Sequence, residues 1–375
     1  MQLFHYNHPF TLESGAVLPG YHLAYTTHGT LNLAGDNVIW IFHALTANSD
    51  PAEWWPGLVG KGRLFDPSGH FIVCVNMPGS CYGSIGPLDP PAGGSDPYYH
   101  AFPFFTSRDM IRAYQPLRKF LGIRTIHIGI GGSMGGQQLL EWAVEEPELF
   151  RMIVPIATNA QHSPWGIAFN TAQRMAIEAD AGFREEREDA GLAGMRAARA
   201  IALLSYRHYE AYKLQQPRTE GFLSEGPGVL HGSDIPAPIP AEAVGVRSGA
   251  ASYQRYQGEK LARRFNAFSY YSLSLSMDSH DLGRGRGGLE KALQKVQART
   301  LVIAIETDIL FPKTEQQLLA ALIPGASYRL IHSLYGHDGF LLEFTHIETL
   351  LREFDQRGEK HNIRQRIENE VDAKM

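Results

Sequence analysis

The chain is long enough for one large folded domain, and its composition argues against several classes of protein. It has 375 residues with a formal net charge of −5, which gives no sign of a basic surface for nucleic acid or an anionic membrane. Its two cysteines, Cys74 and Cys81, are too few for a disulfide framework or a cysteine-rich zinc site and suit a reducing compartment. Neither a signal-peptide pattern nor an apolar run of about 20 residues is present, so we expect a cytoplasmic protein that does not span a membrane.

The first part of the chain has the pattern of strands alternating with helices. Residues 3–30 alternate apolar and polar residues between glycines, which is typical of antiparallel strands. Val38–Phe42 and Phe71–Val75 are continuous apolar runs, as expected for strands buried on both faces of a parallel sheet. The elements predicted next are a helix at Arg108–Leu121 and strands at Ile126–Ile130 and Met152–Ile156.

After about residue 160 the pattern becomes helical. Residues 165–215 are rich in Ala, Arg, Glu and Leu and predict helices without a buried strand, and residues 216–250 have the proline and glycine content of a loop. Further helices are predicted at Tyr253–Leu273 and Gly288–Val296. The α/β pattern then resumes with strands at Thr300–Ile305 and Tyr328–His332 and a helix at Thr345–Phe354.

The chain is organised around a glycine-rich segment that follows the strand Ile126–Ile130. Gly131–Gly135 fits the G-x-S-x-G nucleophile elbow, and a helix-forming stretch, Gln137–Glu145, comes after it. A nucleophile on such a sharp turn has strained dihedral angles, so glycines are needed where the backbones crowd. The N-terminus of the following helix directs its amides at charge that develops on the substrate. We therefore predict Ser133 as the nucleophile; the alternative is a glycine-rich turn with an inert serine.

A nucleophilic serine requires a base, and the base requires an orienting carboxylate. In α/β-hydrolases these follow the serine in the order acid, then histidine. Asp308 lies just past a predicted strand and His337 in a glycine-flanked loop after the last strand, whereas Glu306, the second candidate for the acid, is closer to the strand interior. The oxyanion hole requires two backbone N–H groups, which we assign to Met134 and Leu45.

These patterns predict an α/β-hydrolase fold, a mostly parallel sheet with an inserted helical lid. The predicted division is a core over residues 1–162 and 298–357, a lid over 163–297 and a charged tail over 358–375. No His-Glu-x-x-His motif or cysteine cluster indicates a metal site.

Several stretches together resemble the homoserine O-acetyltransferase family, the CoA-dependent acyltransferases of methionine biosynthesis within the α/β-hydrolases. The resemblance runs from about residue 5 to 354. The matching segments are His43–Thr46, Trp54–Gly60, Cys81–Pro87, Gly131–Gln138, Glu141–Ala143, Tyr256–Lys260, Arg263–Phe265, Asp278–Gly287, Asp308–Pro312 and Tyr335–Leu341.

The resemblance implies acyl transfer by a ping-pong mechanism, with an acyl-CoA as co-substrate and no bound cofactor. Ser133, activated by His337 and Asp308, would attack the thioester of the acyl-CoA and release CoA. The side-chain hydroxyl of an amino acid would then attack the acyl-serine, with His337 as the base a second time. The resemblance also implies a homodimer formed through the lid helices.

The resemblance further implies three residues that hold the amino-acid acceptor. Asp338 matches the carboxylate that binds the acceptor's ammonium, and Arg199 and Tyr206 match an arginine and a tyrosine of the lid. Arg199 and Tyr206 are two helical turns apart, so both can face the same way, and an arginine can grip a carboxylate with two hydrogen bonds. Arg196 and Arg207 are alternatives for the arginine.

The substrates stay open within this family. Acetyl-CoA and homoserine are the favoured pair, but departures from the family pattern at Met77–Ser80 and at Ile85 keep a succinyl donor or a serine acceptor as alternatives. An esterase or thioesterase is the competing interpretation, because the same triad and oxyanion hole serve when water replaces the acceptor.

Overall fold

The computed structural model describes residues 1–216 and 249–356. Residues 217–248, which make up most of the loop expected at 216–250, and the expected tail over 358–375 lie outside the described residues.

The described residues form one large sheet and a small hairpin. The strands are β1 (Gln2–Tyr6), β2 (Phe10–Thr11), β3 (Val17–Leu18), β4 (Tyr21–His28), β5 (Val38–Phe42), β6 (Phe71–Val75), β7 (Ile126–Gly132), β8 (Phe150–Ile156), β9 (Arg299–Ile305) and β10 (Ser327–Ile331). β2 pairs with β3, and the other eight lie in the order β1-β4-β6-β5-β7-β8-β9-β10. β4 is antiparallel to both β1 and β6, and all other neighbours in the large sheet are parallel.

Helices follow most of the parallel strands. They are α1 (Pro51–Trp54), α2 (Ser107–Phe120), α3 (Met134–Glu145), α4 (Pro164–Glu178), α5 (Leu192–Tyr206), α6 (Tyr209–Gln215), α7 (Gly249–Ala262), α8 (Ala267–Asp278), α9 (Leu289–Leu293), α10 (Lys313–Leu322), α11 (Gly339–Leu342) and α12 (344–356). No helix in these described ranges is both long and apolar enough to cross a membrane.

The core lies on both faces of the sheet because the parallel strands are apolar on both sides. In β5, Trp40 packs on one face with Tyr114 of α2 and Trp142 of α3. Ile39 belongs to the opposite face, where Ile347 of α12 is buried. Successive side chains of a strand point to opposite faces, so a strand covered by helices on both sides must be apolar throughout.

The fold class predicted from the sequence is confirmed, and β5 and β6 have the predicted bounds. Two helix predictions need correction. The helix expected at Tyr253–Leu273 is two helices, because the backbone turns after Ala262 and the Asn266 side chain caps α8 by accepting from Ser269 N at 2.7 Å. The helix expected at Gly288–Val296 is only the five-residue α9.

Helices α4 to α9 lie between β8 and β9, which pair directly with each other. The chain therefore leaves the sheet and returns to the neighbouring position after a helical excursion. This order of elements supports our proposal that the excursion is a lid inserted into the core, and we call α4 to α8 the lid helices.

Candidate active site

Ser133 occupies the sharp turn between β7 and α3. Its backbone has φ 57° and ψ −130°, a left-handed φ that residues with a side chain rarely adopt. Two contacts with the end of β8 hold the turn: Ser133 N donates to Ile156 O at 3.1 Å, and the hydroxyl of Thr158 donates to Ser133 O at 2.8 Å. The structure thus places the predicted nucleophile on the strained turn that the motif requires.

The glycines around Ser133 stand where a side chain has no room. A Cβ on Gly131 would lie 2.6 Å from the Gly135 carbonyl, and one on Gly135 would lie 2.2 Å from Phe42 O. A Cβ on Gly132 would lie 2.3 Å from the Phe340 ring. Crowding between β5, β7 and α3 therefore explains the glycines on both sides of the serine.

Asp308 and His337 form a buried hydrogen-bonded pair. Asp308 Oδ2 lies 2.6 Å from His337 Nδ1, and Asp308 Oδ1 accepts from the backbone N–H groups of Leu310 and Phe311 at 2.8 and 2.9 Å. Because a carboxylate accepts, we assign the imidazole proton to Nδ1, which leaves Nε2 as the acceptor. This is the tautomer that a general base needs.

Packing brings the Ser133 turn to the His337 loop. Phe340 lies against Gly132, and its ring centroid is 5.2 Å from that of His337. Phe311 stacks on the imidazole at 5.1 Å. Among residues 1–216 and 249–356 no hydrogen bond joins Ser133 to His337; in enzymes without substrate this bond is often long and tightens only in the complex.

Glu306, the alternative acid, lies elsewhere. Its carboxylate is 2.7 Å from Nδ1 of His332, and both side chains are exposed. The structure therefore brings Asp308, and not Glu306, to His337.

The two candidate oxyanion donors lie where β5 and α3 meet. Gly135 in the first turn of α3 is packed against the carbonyls of Phe42 and His43, just before Leu45. Met134 is the first residue of α3, so its N–H has no partner within the helix. In the described part of the chain no hydrogen bond uses the N–H of Leu45 either. Two unpaired N–H groups at one strand edge are suited to an oxyanion.

His43 positions the Leu45 loop, a role that sequence reasoning missed. Its Nε2 accepts from Met77 N at 3.1 Å, and its Nδ1 donates to Ala44 O at 2.9 Å. Burial lowers the pKa of His43 to about 4, so the ring is neutral and can accept. The signal available in the sequence was a histidine directly after a buried strand.

The lid brings Arg199 and Tyr206 to the histidine. The ring of Tyr206 is 5.7 Å from that of His337, and the guanidinium of Arg199 lies 5.3 Å from the Tyr206 centroid. Arg199 is half-buried, and its Nε, like that of Arg207, is buried without a hydrogen-bond partner in the described ranges. A guanidinium with an unsatisfied buried donor is suited to a carboxylate ligand.

The alternative arginines are already paired. Arg196 Nε is 2.6 Å from Glu259, and Arg207 Nε is 2.7 Å from Asp338 Oδ2. Arg199 is the arginine of these three that has no ion pair within residues 1–216 and 249–356. The pairing of Asp338 with Arg207 was not expected from the sequence.

The end of α5 is packed onto the loop that carries His337. Gly336 has φ +64°, and a Cβ there would lie 2.9 Å from His208 N and 3.0 Å from Tyr206 O. The end of α5 and the loop that carries His337 therefore have closely packed backbones.

Arginines of the Asp278–Gly287 motif bind core carboxylates. Arg286 contacts Glu141 at 2.5 Å and Glu145 at 2.8 Å, and Arg284 contacts Glu13 at 2.8 Å. This motif thus fastens the end of the lid to α3, the helix that begins after Ser133.

A model of the alpha/beta hydrolase fold family matches residues 37–344. The chain is therefore an α/β-hydrolase, as the sheet order and the Ser133 turn also indicate. The homoserine O-acetyltransferase of Cyclobacterium marinum is 44% identical over 353 residues, which cover 94% of each chain. The chain belongs to the homoserine O-acetyltransferase family, and it is an enzyme of the acyltransferase class.

Solved structures share the whole architecture. The crystal structure of homoserine O-acetyltransferase from Bacillus anthracis has a TM-score of 0.82 at 24% identity, covering 94% of this chain and 96% of that one. An acetylester hydrolase from Corynebacterium glutamicum has a TM-score of 0.79 at 25% identity, covering 94% and 95%. The fold therefore accommodates both activities named for these relatives.

Proposed function

We propose that the enzyme transfers an acetyl group from acetyl-CoA to the side-chain hydroxyl of L-homoserine by a ping-pong mechanism, in methionine biosynthesis. The observation that carries this proposal is the position of Tyr206 of the lid beside His337, with the guanidinium of Arg199 over the Tyr206 ring. Together with Asp338, that face presents opposite charges for an amino acid next to a general base.

In the first half-reaction Ser133 attacks the thioester. Nε2 of His337 takes the hydroxyl proton as Oγ bonds to the carbonyl carbon, and Asp308 stabilises the imidazolium that results. The N–H groups of Leu45 and Met134 bind the negative oxygen of the tetrahedral intermediate. When the carbon–sulfur bond breaks, the imidazolium gives its proton to the leaving thiolate, which leaves as CoA.

In the second half-reaction the acceptor takes the place of CoA. His337 removes the proton from the homoserine hydroxyl as its oxygen attacks the acyl-serine. The intermediate collapses with cleavage of the bond to Ser133 Oγ, which recovers its proton from His337. The products are the O-acyl amino acid and the free enzyme.

Arg199 and Asp338 would select the acceptor. The unpaired guanidinium of Arg199 would bind the α-carboxylate with two hydrogen bonds, and the Asp338 carboxylate would bind the ammonium. A ligand therefore needs both the carboxylate and the ammonium of a free amino acid to bind Arg199 and Asp338 together.

An acetylesterase is the second candidate function. The similarity to the acetylester hydrolase of Corynebacterium glutamicum favours it, and the same serine, histidine and oxyanion donors would serve when water is the acceptor. The charged lid face argues against it, because a simple ester offers no zwitterion to bind.

Thiol release distinguishes these functions. Purified enzyme is incubated with acetyl-CoA or succinyl-CoA and with homoserine, serine or no acceptor, with Ser133→Ala as the inactive control. Acetyl-CoA turnover that requires homoserine supports the proposal. Preference for succinyl-CoA or serine changes the substrates and keeps the mechanism, and equal turnover without an amino acid favours the hydrolase.

We also propose a homodimer formed through the lid helices. In the described part of the lid helices, six large apolar side chains are more than half exposed: Trp165, Met175, Leu204, Tyr209, Leu214 and Tyr256. Exposed apolar surface of this kind is typical of an interface. Light scattering should give twice the mass of the chain, and a monomeric mass would reject the proposal.

A further inference from the structure

We propose that Arg207 is a positioning residue for the acceptor, because its ion pair with Asp338 orients that carboxylate toward the incoming ammonium. The inference rests on the proposed function, in which Asp338 binds the ammonium, and it adds a residue to that site.

The geometry of the pair leaves one carboxylate oxygen available. Arg207 Nε lies 2.7 Å from Asp338 Oδ2, an ion-pair contact without the alignment of a hydrogen bond, and the side chains are 19% and 15% exposed. In the described part of the chain no hydrogen bond or second ion pair engages the other oxygen, Oδ1. An arginine that holds one oxygen of a carboxylate restricts the direction in which the second can point.

Arg207 also compensates the buried charge. Burial raises the pKa of Asp338, and the positive charge of Arg207 is the largest influence that lowers it again, followed by that of Arg199. His337 acts in the same direction as the two arginines, and Asp308 acts in the opposite direction because it is also negative. A neutral Asp338 would bind an ammonium weakly, so the charge of Arg207 favours the form that binds the ligand.

The backbone gives Arg207 a defined position. It directly follows Tyr206 at the end of α5, where the chain is packed against Gly336 of the catalytic loop. Arg207 and Asp338 therefore join the lid to the loop that carries His337. Arg199 lies two turns earlier on the helix and has no ion pair in the described ranges. It is therefore available to bind the carboxylate of the acceptor.

The experiment compares Arg207→Gln with Arg196→Gln. Arg196 is on the same helix and makes an ion pair of similar length with Glu259, 2.6 Å, so its loss controls for removal of any such pair. KM and kcat for L-homoserine are measured with acetyl-CoA, together with the inhibition constant of 4-hydroxybutyrate, which has the carboxylate and hydroxyl of homoserine but no ammonium. Release of CoA in a single turnover without acceptor reports the first half-reaction.

We expect Arg207→Gln to raise KM for homoserine by about tenfold to a hundredfold, the factor that a charge-assisted bond contributes. Inhibition by 4-hydroxybutyrate and single-turnover CoA release should stay at wild-type values, and Arg207→Lys should recover part of the loss. Arg196→Gln should change none of these quantities more than about twofold.

Three results would overturn the role of Arg207. They are an unchanged or lower KM for homoserine, an equal weakening of homoserine and 4-hydroxybutyrate, and an equal effect of Arg196→Gln. If Arg207→Gln does not fold, Arg207→Lys decides: a KM for homoserine above the wild-type value supports the orienting role of the guanidinium, and a wild-type KM overturns it. Turnover of homoserine by the wild-type enzyme tests the proposed function. The comparison of KM values and inhibition constants between variants tests the role of Arg207 separately.

Discussion

Among single residues, the predicted nucleophile, Ser133, depends on a neighbour that has no part in the proposed chemistry. A left-handed φ at a residue with a side chain costs about 1–3 kcal/mol and persists only where the surroundings impose it. At Ser133 the hydroxyl of Thr158 holds the carbonyl, and the amide side chain of Gln316 in turn donates to Thr158 O at 2.6 Å. Thr158 and Gln316 are both completely buried. Two hydrogen bonds thus connect α10 to the strained turn.

Replacing Thr158 by valine should lower kcat by about tenfold with little change in KM, because the nucleophile loses its alignment and no substrate contact is removed. Thr158→Ser keeps the hydroxyl and should restore most of the rate. Thr300→Val is the matched control, since Thr300 is also buried and also donates to a carbonyl, at 2.9 Å. Steady-state kinetics of the three variants check this, and an equal loss in Thr300→Val would contradict it.

The acid is tested by exchanging carboxylates for amides. Asp308→Asn should lower kcat by about 10⁴-fold, because an amide no longer holds the imidazole in the tautomer that leaves Nε2 free. Glu306→Gln should leave kcat within about twofold, since that side chain pairs with His332 at the surface. Initial rates with acetyl-CoA and homoserine decide between them, and the reverse ranking would make Glu306 the acid.

At the scale of elements, α3 is held by a cluster of buried charges. Glu141 contacts Arg108 of α2 at 2.6 Å and Arg286 at 2.5 Å, and these three side chains are less than a tenth exposed. Because Arg286 follows the lid helices in the chain, this cluster ties the lid segment to the helix that supports Ser133. Removal of one partner from a buried ion pair is costly, because the others stay buried without compensation.

Glu141→Gln should therefore lower the free energy of unfolding by about 3–5 kcal/mol. Glu185→Gln removes half of a surface pair with Arg187, where both side chains are more than half exposed, and should cost less than about 1 kcal/mol. Urea denaturation measures both values. Equal effects would mean that the buried cluster contributes no more to stability than a surface ion pair.

At the scale of the whole molecule, buried histidines make stability depend on pH. Burial lowers the pKa of His162 and His280 to about 3 and that of His43 to about 4, from a usual value of 6.5. Below pH 6.5 the unfolded chain takes up protons that the folded chain does not. Stability is therefore fully present above pH 6.5 and is lost as the pH falls toward 4, by about 1.4 kcal/mol per pH unit for each histidine.

We expect the free energy of unfolding to decrease between pH 6.5 and 5, offset in part by buried carboxyls such as Asp278, whose pKa burial raises. His280→Gln should reduce the slope by the share of one histidine. Urea denaturation across this pH range is the measurement, and a flat profile would show that these histidines are protonated in the folded state.

Much of the fold could be predicted because its signals are local. Val38–Phe42 and Phe71–Val75 are strands with the predicted bounds. A short, continuous apolar run is expected in a strand that is buried on both faces of the sheet. The division of Tyr253–Leu273 into two helices depends on the turn at Asn266. In the sequence Asn266 resembles any other polar residue, so its role as the cap of α8 was not predicted. α10 was missed although it lies in the predicted second part of the core.

The α/β-hydrolase class, the family and the strained serine turn could be predicted from the residues alone, because these depend on backbone chemistry and on long shared motifs. The folded structure was needed to learn which charged groups meet. It joined His337 to Asp308, left Arg199 without an ion pair in the described residues and gave Arg207 to Asp338. The physical reason is that an ion pair depends on distances of a few ångströms between side chains far apart in the chain, which no local pattern records.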